Sequence, residues 1–336
     1  MKKKVLSLVI SFLIGLGIFF WILRVVGLEE IKEITISFLS LKGLLILILT
    51  FLIWVAGSWK WQFILGALGC YVPLRKLVAV VIAAFSISYI FSPAAFLGNL
   101  SFRAWAAKRK LSLPWNKNVS SVVIGEVLDI VVLFFFLILG SVSFFFLAAC
   151  PFSFFKISII ALAAGLAFVL VLFFFWIYKK KSLLGWLLKI VKLKKKDNKT
   201  IWEIEKNLTE FLNCRKAFFW KALGLSFLKY AAIFSRLLLV IYFLGGGFNL
   251  LVTLAVMFVL YLSYLFPLPA SLGALEAGQV FVFRVLGRGV ASGLGLSFVL
   301  RGADTILTLV GIIFLWKIGI KFLFKKSKEV GVEETI

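Results

Sequence analysis

The sequence predicts an all-α polytopic membrane protein, with about six full spans and two broken or re-entrant helical hairpins arranged as an inverted-topology repeat. Composition is the first reason, because 63% of the 336 residues are apolar and 15% are charged, whereas a soluble domain has about 45–50% and about 25%. The second reason is that six apolar runs are long enough to span a bilayer. The third is that several glycines and charges recur at a constant offset. We therefore expect residues 1–336 to form a single transmembrane domain.

Six apolar runs of spanning length occur along the chain. They are residues 5–26, 43–66, 119–148, 154–178, 218–243 and 291–316. At about 1.5 Å per residue, each is long enough for a hydrocarbon core of about 30 Å. The first run resembles a signal peptide, but no small-residue cleavage site follows it, so we interpret it as a spanning helix.

Two further apolar segments, 77–107 and 250–287, are too long for one span and hold helix-breaking residues near their middles. These residues are Pro93 and Gly98 in the first segment and Pro267, Pro269 and Gly273 in the second. Irregular backbone at bilayer depth must be surrounded by protein or line a wet cavity. Each segment is therefore interpreted as a broken or re-entrant hairpin. A pair of Pro-kinked ordinary helices is the alternative.

An internal repeat relates the two halves of the chain, about 5–148 and 154–316. The spacing from Gly98 to Gly273, here called the repeat offset, also separates Glu126 from Arg301 and Asp129 from Asp304. Each half contains two spans, a broken hairpin and another span, and the two halves are expected to have opposite topology. Inverted repeats with discontinuous helices are typical of transporters.

The basic residues predict the orientation of the chain. The 38 Lys and Arg residues against 14 Asp and Glu give a net charge of +24, and most flank apolar runs, which the positive-inside rule explains. Nucleic-acid binding is not expected, since no long hydrophilic domain exists to carry it. We expect both termini, 103–117 and 179–216 to face the cytoplasm of a prokaryote across its inner membrane, and 27–42 and 245–249 to face outward.

Segment 179–216 is the one sizeable hydrophilic stretch, with 12 bases and 4 acids. Its LLGWLLKIVKLKKK part is compatible with an amphipathic helix on anionic headgroups, and the following TIWEIEKNLTEFL has apolar residues at 201, 204, 208 and 211. A basic cytoplasmic loop is the favoured interpretation.

Charges inside the apolar segments are the candidate site. A charge near the bilayer midplane costs at least about 2.5–3.5 kcal/mol, so such groups should be paired inside the bundle. We expect Arg103 to meet Glu126 or Asp129, and Arg301 to meet Glu276. The predicted substrate-binding residues are Arg103, Glu126, Asp129, Glu276, Arg301 and Asp304; secondary candidates are Lys60, Lys229, Arg236 and Arg284.

These charges have two interpretations. In the functional one, Gly98 and Gly273 lie near one shared cavity lined by Arg103, Glu276 and Arg301, and the arginines bind an anionic headgroup. In the structural one, the charges are salt bridges that lock the hairpins.

Catalysis and cofactors are not expected. The chain has no His, and its three cysteines (Cys70, Cys150 and Cys214) lie far apart, which argues against a metal site, a haem or a disulfide framework. No phosphate loop or catalytic constellation is present, and an isolated Glu-x-x-Asp pair is a weak signal for acid–base chemistry.

The motifs LGNLSFRAW with GEVLD, and FPLPASLGALEAG with FVLRGAD, resemble the transmembrane region of lysylphosphatidylglycerol synthase and its stand-alone relatives, which are described as flippase-like or UPF0104 proteins. The family pattern is matched at Pro267, Pro269, Gly273, Glu276, Arg301, Arg103 and Asp129. It is not matched at Ser271-Leu272, where a glycine pair is usual, or at Gly125-Glu126, where Glu-Arg is usual. The resemblance implies lipid translocation. It does not imply synthase activity, because the soluble aminoacyl-transferring domain is not found in this sequence.

Three functions remain open. The leading one is a translocase that moves an anionic or lipid-linked headgroup, such as that of a phospholipid or a polyprenyl-phosphate lipid, without ATP hydrolysis of its own. The second is a polytopic transferase on a polyprenyl-phosphate lipid, with Glu126 and Asp129 catalytic. The third is a non-transporting membrane partner of a soluble glycosyltransferase or another enzyme, which docks through 179–216.

Overall fold

A computed structural model describes residues 24, 36, 38–91, 95–147, 153–178, 199–213, 216–266, 268 and 271–333. Across these residues the chain is helical and has no strand. The helices are α1 (Leu41–Ala67), α2 (Leu74–Phe91), α3 (Ala95–Leu111), α4 (Trp115–Leu147), α5 (Ser153–Tyr178), α6 (Lys199–Asn213), α7 (Lys216–Ile241), α8 (Leu250–Ser263), α9 (Ala274–Val285) and α10 (Val290–Glu333). One π-helical turn, Tyr242–Gly246, follows α7. The predicted all-α polytopic class is confirmed.

Five of the described helical stretches are long and apolar enough to cross a bilayer. They are Leu41–Ala67, Trp115–Leu147, Ile157–Phe175, Ala217–Gly246 and Val290–Lys317. They match five of the six predicted spans, and the sixth, 5–26, lies outside the described residues. Large apolar side chains on their outer faces, such as Val171 and Trp316, are exposed, as expected where lipid replaces water. The chain is a multi-pass membrane protein.

Both interrupted segments are divided into two helices that contact each other, α2 with α3 and α8 with α9. In the second segment the described residues 264–266 and 272–273 form turns and a bend, which agrees with a broken hairpin, whereas residues 92–94 of the first segment lie outside the described part of the chain. Gly273 precedes α9 with a φ of 79°, which glycine adopts readily. Gly98 lies inside α3, so the helix is not broken at this glycine. Pro93, Pro267 and Pro269 themselves lie outside the described residues.

The helix contacts follow the predicted repeat. The repeat offset relates α1 to α7, α2 to α8, α3 to α9 and α4 to α10. Helices α1 and α7 pack along each other at the centre, α8 packs along α4, and α2 packs correspondingly along α10. In the α4–α8 and α2–α10 contacts, a helix of one half packs against a helix of the other half, and the repeat offset relates the two contacts to each other. The opposite topology of the two halves stays a prediction.

Glycines allow the two outer helix pairs to approach closely. A Cβ on Gly140 of α4 would lie 2.6 Å from the Leu254 carbonyl oxygen of α8, and a Cβ on Gly311 of α10 would lie 2.5 Å from the Ile82 carbonyl oxygen of α2. Small residues at helix contacts are the usual means of tight packing in a bilayer. Any larger side chain at these two positions would separate the backbones.

One end of the bundle gathers segments that the sequence predicts to face outward. Lys42 Nζ lies 5.7 Å from the centre of the Phe243 ring. Arg288 Nη1 donates a hydrogen bond of 2.8 Å to the Gly246 carbonyl. The start of α1, the turn after α7 and the turn before α10 are therefore close together.

The opposite end gathers segments that the sequence predicts to face the cytoplasm. Helix α6 packs against the start of α4, where Asn116 Nδ2 donates to Glu203 Oε2 at 2.7 Å and Asn207 Nδ2 donates to Ser120 Oγ at 3.0 Å. Phe211 of α6 is fully buried. Residues 199–213 therefore form a packed helix instead of the favoured loop, because their apolar residues recur at helical spacing. Residues 179–198 lie outside the described residues.

Candidate functional site

Among the described residues, charged side chains of α1, α3, α4, α7, α9 and α10 form two clusters and two pairs inside the bundle. In the Asp129 cluster (Lys60, Asp129, Ser226 and Lys229), the carboxylate lies between two ammonium groups. Lys60 Nζ is 2.5 Å from Oδ1 and Lys229 Nζ is 2.7 Å from Oδ2. Ser226 Oγ also donates to Oδ1 at 2.9 Å. Helices α1, α4 and α7 meet at this point.

The Asp304 cluster (Thr50, Arg236 and Asp304) is the corresponding contact of α1 and α7 with α10. Arg236 Nη1 lies 2.9 Å from Asp304 Oδ1 and donates to Thr50 Oγ1 at 3.1 Å. Arg236 is 6% exposed, and its Nε has no hydrogen-bond partner in the described part of the chain. One donor of this guanidinium is therefore free.

The Arg103–Glu126 pair links α3 to α4. Arg103 Nη1 lies 2.7 Å from Glu126 Oε1. The guanidinium also covers the Trp61 ring at 4.6 Å from the ring centre, and Trp61 Nε1 donates to Ser121 Oγ at 2.9 Å. Of the two predicted partners of Arg103, the structure places Glu126 beside it.

The Arg301–Glu276 pair fixes the second break. Arg301 Nε and Nη2 both donate to the fully buried Glu276 carboxylate, and Nη2 also donates to the Ser271 carbonyl at 3.0 Å. Glu276 Oε2 in turn accepts from the Gly273 amide at 2.8 Å. Ser271 has a φ of 50°, which favours glycine. This left-handed position is one of the two where the family usually has a glycine pair.

A cavity of about 370 Å³, here called the central cavity, lies between α1, α2, α7, α8 and α10. Its lining includes three charged residues, Lys229, Arg236 and Asp304; α3 contributes Asn99, and the second break contributes Ser271. Its volume falls within the range of about 300–1,000 Å³ typical of small-molecule sites. It lies among helices that are long and apolar enough to span a bilayer, and its lining combines charged and tyrosine side chains with a larger apolar part.

The structure brings some of the predicted site residues to this cavity and leaves others out. Asp304 and the secondary candidates Lys229 and Arg236 line it. Residues outside its lining are Arg103, Glu126, Asp129, Glu276, Arg301 and Lys60. The expected lining by Arg103, Glu276 and Arg301 is not found, because both arginines are turned into ion pairs with neighbouring acids. Arg284 is exposed in the last turn of α9.

Sequence reasoning missed the tyrosines of the central cavity. Tyr89, Tyr261 and Tyr264 line it, and Tyr89 Oη lies 3.4 Å from Thr305 Oγ1 of α10. A signal existed, since Ser-Tyr-Ile-Phe at 88–91 recurs as Ser-Tyr-Leu-Phe at 263–266, again at the repeat offset. Phenol groups supply hydrogen bonds at a site where a polar ligand would lose its water.

An apolar groove of about 510 Å³ lies on the other side of α8, between α4, α5, α8 and α9. Val259, Leu262 and Ser263 of α8 line this groove, whereas Tyr261 and Tyr264 line the central cavity. Positions three and four apart share a helix face, so the last turns of α8 form a wall between the groove and the cavity.

Comparison with known proteins identifies one family of membrane proteins. The family model described as Lysylphosphatidylglycerol synthase TM region matches residues 6–311. Among curated proteins, the UPF0104 membrane protein MJ1595 of Methanocaldococcus jannaschii is 31% identical over 134 residues. That match covers 40% of this chain and 38% of the relative, so the chain spans well under half of the relative it matches. No solved structure matches the chain.

Proposed function

This chain belongs to the family described as Lysylphosphatidylglycerol synthase TM region, and we propose that it is a lipid translocase that moves an anionic or lipid-linked headgroup across the membrane through the central cavity. The proposal rests on a cavity of about 370 Å³ among the spanning helices, whose lining includes Lys229, Arg236 and Asp304. Buried polar surface in hydrocarbon is unfavourable, so a cavity of this kind is expected to have a use.

The charges that line the cavity favour an anionic ligand. Lys229 and Arg236 contribute two positive charges and Asp304 one negative charge. Behind Lys229, Asp129 is already paired with a second base, Lys60. The excess positive charge suits a phosphate, for which lysine and guanidinium groups are the usual protein ligands.

The apolar groove supports a lipid over a free metabolite. It lies on the opposite face of the α8 wall, where Val259, Leu262 and Ser263 line it. A lipid has a charged headgroup and hydrocarbon tails, and this part of the protein offers a polar and an apolar environment side by side. Gly273, next to the second break, lines the groove, and Ser271 lines the cavity.

We favour the translocase over the polytopic transferase. The transferase needs Glu126 and Asp129 as acid–base groups, yet Glu126 is paired with Arg103 and Asp129 with Lys60 and Lys229. Both carboxylates therefore face neighbouring basic side chains, and neither lines the central cavity. The docking-partner alternative would use 179–216, of which α6 already packs against α4.

We further propose that the protein lies in the cytoplasmic membrane with both termini inside, and that its halves form an inverted repeat. Support comes from the grouping of segments, since Asn116 and Glu203 bond at one end while Arg288 and Gly246 bond at the other. The first end adjoins the Lys and Arg residues of 103–117, as the positive-inside rule requires of a cytoplasmic face.

Headgroup movement in liposomes tests the proposal. The purified chain is reconstituted alone with a trace of fluorescent phospholipid, and a membrane-impermeant quencher reports the fraction of headgroups that cross. We expect flux above that of protein-free liposomes, loss of that flux in Lys229→Met, and wild-type flux in Arg288→Ala, whose side chain lies at the end of the bundle. Flux equal to that of protein-free liposomes, for phospholipids and polyprenyl-phosphate lipids alike, would contradict the proposal.

A further inference from the structure

We propose that the central cavity holds a phosphate anion between Lys229 and Arg236, and that Lys229 reaches this anion by leaving Asp129, which Lys60 then neutralises alone. The inference rests on the proposed function in taking the phosphate of a lipid headgroup as the natural ligand. It goes further in naming the atoms that bind the phosphate and in giving the Asp129 cluster the role of an exchange site.

The two bases are placed for one ligand. Lys229 and Arg236 lie seven residues apart on α7, which is about two helical turns or 10 Å, and both line the central cavity. Both side chains are long, so their ends can converge on an anion between them. No acid on α7 separates them.

Lys229 is held by a carboxylate that does not depend on it. Besides Lys229, Asp129 has the Lys60 ammonium at 2.5 Å and the Ser226 hydroxyl at 2.9 Å. The remaining Lys60–Asp129 pair is neutral, so the departure of Lys229 leaves no uncompensated buried charge. Stranding such a charge is what makes most buried ion pairs costly to break.

The two lysines that contact Asp129 differ in their exposure. The Lys60 side chain is 3% exposed and is fixed further by a hydrogen bond of 2.8 Å to the Gly125 carbonyl. The Lys229 side chain is 19% exposed and borders the cavity. Lys60 is therefore buried and does not line the cavity, whereas Lys229 lies between Asp129 and the cavity.

Arg236 plays a different part. Within the described residues, it is the one base at ion-pair distance from Asp304, so its departure would strand that carboxylate. Its buried Nε has no hydrogen-bond partner and the residue lines the cavity, so a small rotation of the guanidinium would bring this donor to an anion while Asp304 stays paired. A phosphate oxygen at Nε would satisfy this donor with a charge-assisted hydrogen bond.

Anion binding by the purified, delipidated full chain in detergent tests the exchange. Calorimetric titration is run with inorganic phosphate in one arm and with short-chain phosphatidic acid in the other. Wild-type protein is expected to bind in at least one arm, and the arm with the tighter binding identifies free phosphate or lipid-borne phosphate as the preferred source. Lys229→Met is expected to lose binding, whereas Lys221→Met, an exposed lysine on the same helix, is expected to match wild type.

The diagnostic variants change residues that do not line the cavity. Lys60→Met leaves Asp129 dependent on Lys229, so affinity should fall about tenfold, the equivalent of about 1.4 kcal/mol. Lys60→Met with Asp129→Asn removes the competitor altogether at unchanged net charge, so affinity should return to the wild-type value or exceed it. A structural role for the cluster predicts no such rescue.

Several results would overturn the exchange. One is wild-type affinity for the anion in folded Lys60→Met, and another is affinity below wild type in the double variant. A third is that Lys229→Met leaves binding unchanged both for inorganic phosphate and for phosphatidic acid. If Lys60→Met does not fold, the double variant alone decides. Binding is measured without a membrane, so the two proposals fail separately. If the variants show the expected affinities but the protein moves no headgroups in liposomes, translocation is refuted and the exchange is not. If headgroups move but the variants do not show these affinities, the exchange is refuted and translocation is not.

Discussion

Replacing Arg301 by alanine should destabilise the protein more than any change at the ends of the bundle. Glu276 is 0% exposed and accepts hydrogen bonds from the Arg301 side chain and from the Gly273 amide. Without Arg301, a fully buried carboxylate keeps one backbone donor and no counter-charge. Removing one partner of a buried ion pair costs about 3–5 kcal/mol. The Ser271 carbonyl loses its donor as well.

Unfolding of the purified protein in detergent, followed by circular dichroism as temperature rises, measures this effect. We expect Arg301→Ala to melt well below wild type, and the double variant with Glu276→Gln to recover part of the loss because the stranded charge is gone. Arg288→Ala, which removes a hydrogen bond to Gly246 in the turn at the end of the bundle, is the matched control and should melt nearly as wild type does.

The same variants separate a structural role from a transport role. Because Arg301 is outside the lining of the central cavity, flux per folded molecule is expected to stay unchanged in Arg301→Ala. Melting like that of wild type, or a double variant no better than the single one, would refute the reasoning about the buried carboxylate. Flux lost from fully folded Arg301→Ala would return this residue to the substrate site.

Two further predictions concern topology and helix packing. Single cysteines at Tyr71 and Phe248, which are 91% and 64% exposed at opposite ends of the bundle, should be labelled from opposite sides of the membrane in a background without native cysteines; labelling of both from outside would contradict the topology. Gly140→Ala and Gly311→Ala should each cost about 1–3 kcal/mol by overpacking, whereas Gly302→Ala, with no atom near its Cβ position, should cost nothing in the same melting assay. Melting of Gly140→Ala or Gly311→Ala like that of wild type would contradict the close backbone approach at that glycine.

The spans and local ion pairs could be predicted from the sequence because they depend on short-range patterns. Apolar runs mark the helices, and Pro and Gly mark the breaks. The Arg103–Glu126 and Arg301–Glu276 pairs join residues 23 and 25 positions apart, within one hairpin and the helix after it. In each pair, the base and the acid lie on helices that are close in sequence and also contact each other in the structure.

The central cavity could not be predicted in the same way because it depends on which helices are neighbours. Lys229 reaches Asp129 across 100 residues and Arg236 reaches Asp304 across 68. Helical periodicity indicates the face of a helix that carries a charge, but not the helix opposite. The first contact joins α7 to α4 and the second joins α7 to α10, and the repeat offset permits these helix contacts without requiring them.

The most direct test of a headgroup path through the central cavity is to block that cavity reversibly. Ser88 lines it, so Ser88→Cys in a background without native cysteines can be modified by a bulky methanethiosulfonate reagent and restored by a thiol reductant. We measure headgroup flux in liposomes before modification, after it, and after reduction, with Phe248→Cys as the control at the end of the bundle. The account predicts flux that stops on modification of Ser88→Cys and returns on reduction, with the control unaffected. Undiminished flux through fully modified Ser88→Cys would contradict it.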